Sequence, residues 1–337
     1  MSGTGTGEFG FGTVDTCATS PGMAASFRVV MHEFCHNLLW NRVRSPNFGF
    51  SHSAGDSIAA ILSDPGSQVP DRFLTFPGVP IVVDRRHDRD VADGWAWGGV
   101  NDVGGYSSEQ ILSTTHFRIY RSMGGDDSDV NVQIAAAQRI VFLIMKAIAS
   151  LGPSPIIPTP TPNPWETALE NSDTSTTSFQ SVPGGTAHKV IRWGFEQQGL
   201  FQPAGAPTPV ISPGAPPDID VYVDDGRGGQ YPYQPVFWEN TDIWNRLAAD
   251  GGTTHQTPIV SVTNYGYVRI KNRGTQTANN VIVSGFHCRP SAGLTWPDDW
   301  QAMTTASINV PDSIPSGGQT IVGRSSGPRR RLGTNAC

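Results

Sequence analysis

Charge is scarce in this chain. Asp, Glu, Lys and Arg make up 15% of 337 residues, and 23 Lys+Arg against 29 Asp+Glu leave a balance of −6. A basic face that would neutralise phosphates is therefore not expected, and general nucleic-acid binding is excluded. Cysteine is scarcer still: Cys17, Cys35, Cys288 and Cys337 are scattered with no CxxC pair, which argues against a disulfide framework and a zinc ribbon. The longest apolar run, Ile140 to Met145, falls far short of a bilayer crossing, so a soluble protein with no membrane span is expected. The opening residues, Met-Ser-Gly-Thr-Gly-Thr-Gly-Glu, show neither the basic nor the apolar region of a signal peptide. Glycine and proline are plentiful, 38 and 27 residues. That is still below the roughly 25–30% of low-complexity chains, so a folded protein is expected.

Patterning divides the chain. From Ser26 to Arg42 the apolar residues Phe27, Val30, Met31, Phe34, Cys35 and Leu38 recur at three- and four-residue steps, which predicts an amphipathic helix. A second helix is expected from His52 to Leu62. A third is expected from a Ser107/Gln110 capping box to a stop at Gly124-Gly125. Residues 130–151 read as a long, buried helix. After the proline-rich stretch Pro153–Pro164, helical spacing resumes at Thr167–Asp173 and Ala187–Leu200. Beyond Pro203–Pro217 the period falls to two, in Val221/Val223, Tyr267-Val268-Ile270 and Val281/Val283, with turns such as Asn272-Arg273-Gly274 between. The expected fold is multidomain α and β, a mainly helical portion followed by an all-β sandwich. Its bounds are 1–202, a linker at 203–217, the sandwich at 218–323, and a non-native or disordered basic tail at 324–337.

The chemistry concentrates at His32-Glu33-Phe34-Cys35-His36. Positions four apart on a helix lie about 40° from one another around the axis, so two imidazoles can converge on one ion. Glu33 then stands beside the open position, where a carboxylate takes a proton from a metal-bound water and passes it to a leaving amine. This pattern arises by chance in roughly four of a thousand shuffled chains of this composition. An amphipathic helix with solvent-facing histidines is the competing reading. A hydrolytic zinc needs a third protein ligand. Leu39 and Arg42 occupy the places where a compact metzincin pattern would have Gly and His. His52 follows sixteen residues after His36, with Asp56 one turn later to orient an imidazole. Asp56 as the ligand itself is the rival assignment, and a surface histidine capping the helix is the plain reading of His52.

The segment Val29–Leu62, an HExxH helix followed by a helix bearing ligand-xxx-Asp, resembles the thermolysin-type (gluzincin) zinc metallopeptidases. That family usually has Glu at the third position, where His52 stands here. Gly104-Gly105-Tyr106 is similar to the family's Gly-Gly stretch before its active-site His. The resemblance implies a zincin catalytic portion over about 20–202, Zn2+ as cofactor, protein or peptide as substrate, and Tyr106 donating to the tetrahedral oxyanion. It also implies that the amino-terminal β lobe is largely missing, since only 31 residues precede His32. Residues 218–323, through Tyr267–Gly274 and Asn280–Val283, resemble bacterial adhesion-type immunoglobulin-like sandwiches on secreted or surface enzymes, which implies docking to a surface or polymer.

Other residues have plainer readings. The run Arg85-Arg86-His87-Asp88-Arg89-Asp90 reads as a solvated loop with local ion pairs, with a substrate-carbonyl guanidinium as the alternative. His116 reads as a packed histidine and Cys35 as core. Asp218, Asp220, Asp224 and Asp225 read as turn residues in preference to a calcium site. Two function classes follow: a zinc endopeptidase, or an inactive zincin-fold binding protein. The presence of Glu33 separates them in favour of the first.

Overall fold

Ser26 opens α1 (Phe27–Val43), its hydroxyl accepting from the Val29 N–H, and Arg44 closes it in the left-handed region. Arg28, Val29, His32, Cys35, His36, Leu39 and Val43 form its buried stripe, at three- and four-residue steps. α2 (Ser51–Ser63) packs on α1. Gly55 permits the close approach, because a Cβ there would sit 3.0 Å from Nδ1 of His32. The computed structural model describes residues 25–44, 51–77, 84–151, 153, 164–200, 213–236, 239–288 and 296–326, with the side chains of 51–52 and 324–326 excepted.

α3 (Gly105–Tyr120) begins two residues earlier than the expected capping box. Gly104 and Gly105 both take positive φ, which starts the helix at the glycine pair. The Gly104 N–H donates to Ser108 Oγ, while Ser107 donates to the Asn101 carbonyl. A π-helical turn, Arg121–Gly125, ends the helix where Gly124 reaches φ 132°. α4 (Val130–Ser150), α5 (Pro164–Thr174), the small hairpin of β1 (Ser178–Phe179) and β2 (Val182–Pro183), and α6 (His188–Gln197) follow. Leu39, Ile58, Ile111, Phe117, Ile140, Ile144, Trp165 and Phe195 belong to one apolar core that joins the α-helices of the described residues, α1 to α6. Each such side chain, fully buried, contributes about 1.5–3 kcal/mol.

α4 runs through that core, touching α1, α2, α3 and α5. Contrary to the contiguous-run count, α4 is long and apolar enough to cross a membrane by length and composition. Arg139 and Lys146 bound the unbroken run, which is why counting it alone missed the length of the helix. Its Ala136, Ile140, Ile144 and Ile148 face the core, while Val130, Val132 and Ile134 are exposed.

The chain divides into two units, Met1–Ala215 with Tyr231–Tyr233, and Pro216–Gln230 with Gln234–Cys337. The second unit is built on β5 (Asn264–Asn272), which pairs antiparallel with β8 (Gln319–Ser326) along one edge. On the other edge β5 pairs with β3 (Val221–Tyr222) and β4 (Ile243–Arg246). β6 (Ile282–Cys288) and β7 (Trp300–Asn309) form a separate antiparallel ribbon. Val268, Ile270 and Val322 from the first sheet share a small core with Val283 of the ribbon, Val281 beside it, and Val310, Ala278 and Ile314. Met303 lies against both sheets, close to Gly266 and Gly285. Mixed α and β character is thus present, with helices in one unit and most of the small antiparallel sheets in the other. β8 continues to Ser326, three residues past the point where the alternating pattern stops, because its backbone pairs with Gly266, Tyr265 and Asn264 whatever the side chains. Residues 327–337 and most of the expected linker, 203–212, lie outside the described residues.

Candidate functional site

His32 and His36, one turn apart on α1, bring their Nε2 atoms within 3.1 Å, with the rings inclined at 80°. Two nitrogens bound to one tetrahedral zinc at ~2.0–2.1 Å lie about 3.3 Å apart, so this spacing suits a shared metal. Behind His32, its Nδ1 lies 2.7 Å from Oδ1 of Asp56 on α2. A carboxylate at that distance favours the tautomer with its proton at Nδ1, which leaves the Nε2 lone pair for a ligand. Asp56 is 1% exposed. Its second partner is Arg85, whose Nη2 donates to Oδ1 at 2.8 Å and whose Nε donates to Oδ2. Burial alone would raise the Asp56 carboxyl, but Arg85 and His32 outweigh it and hold it well below the usual carboxylate range. Both oxygens of Asp56 are therefore engaged, one with the imidazole and both with the guanidinium.

Arg85 is where the sequence reading fails. It is 3% exposed, not part of a solvated loop. The Thr75 N–H donates to the Arg85 carbonyl at 2.9 Å, and the His87 N–H donates to the Phe73 carbonyl at 2.9 Å. This short ladder imposes strand-like alternation, so Arg85 and His87 turn inward while Arg86 points out to Asp71 and Asp88. The charged run pairs locally only at its outward position. The Arg85 guanidinium lies between the rings of Phe76 and Tyr106, 5.4 and 4.8 Å from their centroids. Phe76 in turn meets His32 edge-on at 5.4 Å.

Glu33 sits on α1 beside His32, half-buried, and among the described residues no side chain pairs with its carboxylate. Tyr106, in the first turn of α3, is 49% exposed and reaches the site through Arg85. His52 occupies the first turn of α2, one turn before Asp56, and its side chain lies outside the described residues. Among the described residues no third His, Cys, Asp or Glu joins the pair in a metal-holding group.

The remaining candidates fall into place as packing or turns. Cys35 is fully buried, and burial, then Asp56, push its thiol up to about 12. His116 is buried between Trp165, whose Nε1 donates to Nε2 at 2.8 Å, and Ser57, 2.9 Å from Nδ1. The accepting Nε2 fixes the neutral tautomer with its proton at Nδ1. His87 is held by Thr75 at 2.9 Å and stacks on Phe117, so it is rigid and not loose in a loop. Asp220, Asp224 and Asp225 pair with Arg273, Lys271 and Arg227, and Asp218 accepts from Thr275, as turn residues do. No protein-family model, curated protein or solved structure matches the chain.

Proposed function

We propose that the first unit is a zincin-type metallopeptidase that hydrolyses peptide bonds with Zn2+, and that the second is an immunoglobulin-like accessory sandwich. One observation carries the reading: the two Nε2 atoms 3.1 Å apart on an HExxH helix, with Nδ1 of one ring held by a buried carboxylate. His32 and His36 would hold the metal, with His52 as the proposed third ligand. When bound, zinc supplies Lewis acidity toward water and the scissile carbonyl.

The chain's own groups do the rest. Asp56 keeps the His32 proton at Nδ1 and fixes the ring plane. Arg85 holds Asp56 in place. Glu33 accepts the proton of the attacking water at its carboxylate and returns it to the leaving amine. Tyr106, exposed on the Arg85 flank, donates a hydrogen bond from its hydroxyl to the developing oxyanion.

Zinc content and peptide hydrolysis of the full chain, compared with its Glu33→Gln variant, test the proposal. Equal zinc with a loss on the order of a thousandfold in kcat is expected. A variant that loses its zinc would make Glu33 a ligand. A wild-type chain that binds no zinc would end the proposal.

A further inference from the structure

The second unit carries an aromatic platform of its own, independent of the peptidase reading. Cross-strand register places Phe286 opposite Ala302 and Cys288 opposite Trp300. The register shifts between Ser284 and Phe286, yet β6 keeps its alternation, with Ile282, Ser284 and Phe286 exposed on the face away from Val283, and pairing brings Ala302 and Trp300 to that face beside Phe286 and Cys288. Trp296, just before β7, meets Phe286 edge-to-face at 4.8 Å and lies 6.2 Å from Trp300. Phe286 and Trp296 are each 42% exposed. Fixed edge-to-face rings hold their orientation without a partner, so the surface is preorganised.

Its surroundings select the partner. Over the described residues 282–288 and 296–310 the acids are Asp298 and Asp299, and Arg289 follows β6 directly in the sequence. The other polar groups there are mostly neutral hydroxyls and amides: Ser284, Gln301, Thr304, Thr305, Ser307 and Asn309. Asp298 and Asp299, directly before Trp300, oppose an anionic partner. A saccharide fits it: the C–H faces of a pyranose ring carry slight positive charge and stack on the electron-rich indole face. Its hydroxyls donate to carboxylates in charge-assisted hydrogen bonds. We propose that the face formed by Phe286, Trp296 and Trp300 binds an uncharged glycan, with Asp298 and Asp299 accepting from its hydroxyls.

Affinity electrophoresis of the full chain through gels containing a soluble β-glucan, a xylan or a chitin-derived oligosaccharide tests this. Retardation by at least one is expected, and it should weaken tenfold or more in Trp296→Ala and in Trp300→Ala. Ile243→Ala, exposed on the other sheet, should leave it unchanged. Near-ultraviolet circular dichroism and the urea midpoint of each variant separate loss of binding from loss of fold. Asp298→Asn, which leaves the rings in place, gives a second reading if either tryptophan variant unfolds. No retardation in any gel, or retardation that survives both tryptophan changes, overturns the proposal. So does a dimer in sedimentation that the same changes dissolve, or binding confined to a polylysine probe.

Discussion

Asp56→Asn keeps the shape of a side chain while removing its charge, and its consequences separate into two measurable parts. The Asp56 side chain is 1% exposed and that of Arg85 is 4% exposed, so the change deprives a buried guanidinium of the carboxylate it pairs with. Breaking a buried pair from one side costs about 3–5 kcal/mol. Adding Arg85→Met removes the stranded charge, and a buried pair exchanged for uncharged groups of similar volume is about neutral. Most of the lost stability should therefore return in the double variant. Metal affinity should not. In the proposed site Asp56 acts on the metal through Nδ1 of His32, and orienting losses of this kind run about 10- to 100-fold, or ~1.4–2.7 kcal/mol. Nothing in Arg85→Met restores the carboxylate at Nδ1. Urea unfolding of the zinc-free chain and zinc titration against a chromophoric chelator, on wild type, both single variants and the double, give the full cycle. A double variant no more stable than Asp56→Asn would refute the paired-charge argument. Zinc affinity that recovers along with stability would show that Asp56 acts on the metal only by holding the fold.

Burial lowers His116 to about 3 and His87 to about 4, against 6.5 for both unfolded, so stability is complete above pH 6.5 and declines below it. The decline approaches ~1.4 kcal/mol per pH unit for each group, and a urea midpoint that stays flat from pH 6.5 to 5 would rule it out. Burial first and Glu166 second raise Glu170 to about 8, so its contribution is full at pH 4.5 and fades as pH climbs toward 8. Glu170→Gln should accordingly melt higher than wild type at pH 8 and alike at pH 4.5, and equal melting at pH 8 would contradict it. Asn272, 1% exposed, accepts from the Gly274 N–H and donates to the carbonyls of Gln276 and Ile314. Asn272→Ala strands these groups and should lower unfolding free energy by about 2–4 kcal/mol, with a loss under about 1 kcal/mol counting against the network.

The helices were legible because their signals are local. Apolar spacing placed α1, α2, α4 and α6 close to their observed bounds, and the glycine pair correctly stopped α3. The start of α3 was misread because two signals competed within four residues, and glycine at positive φ prevailed over the Ser107/Gln110 box. At the site, His32, His36 and Asp56 could be related through helical geometry alone. Arg85 could not, since it lies 29 residues from Asp56 and meets it only because segment 73–76 pairs with 85–87. A charged run looks the same in sequence whether it is solvated or folded inward; the bridge at Leu74 and Arg86 decides which of its residues are buried. The β unit showed the same limit. Alternation marked β5 and β6, but the length of β8 is set by its partner's backbone, not by its own side chains.

The polar groups buried around α1, α2 and the 72–87 segment bear on the proposed chemistry in one further way. Around α4, α5 and α6 much of the core is Ile140, Ile144, Ile148, Leu169, Ile191 and Phe195, which stabilise without geometric demands. Near His32 the buried set is instead Arg28, His36, Asp56, Arg85 and His87. Charges removed from water lose several kcal/mol of hydration each, and pairing them regains it only with near-ideal geometry. Apolar residues of equal volume would fold at least as stably. Stability is thus a poor explanation for a carboxylate placed between an imidazole and a guanidinium, whereas orientation is a good one. A ring held at Nδ1 by a carboxylate, itself held by two guanidinium nitrogens, has little freedom to rotate. A ligand that must present Nε2 to within a few tenths of an ångström requires that restraint.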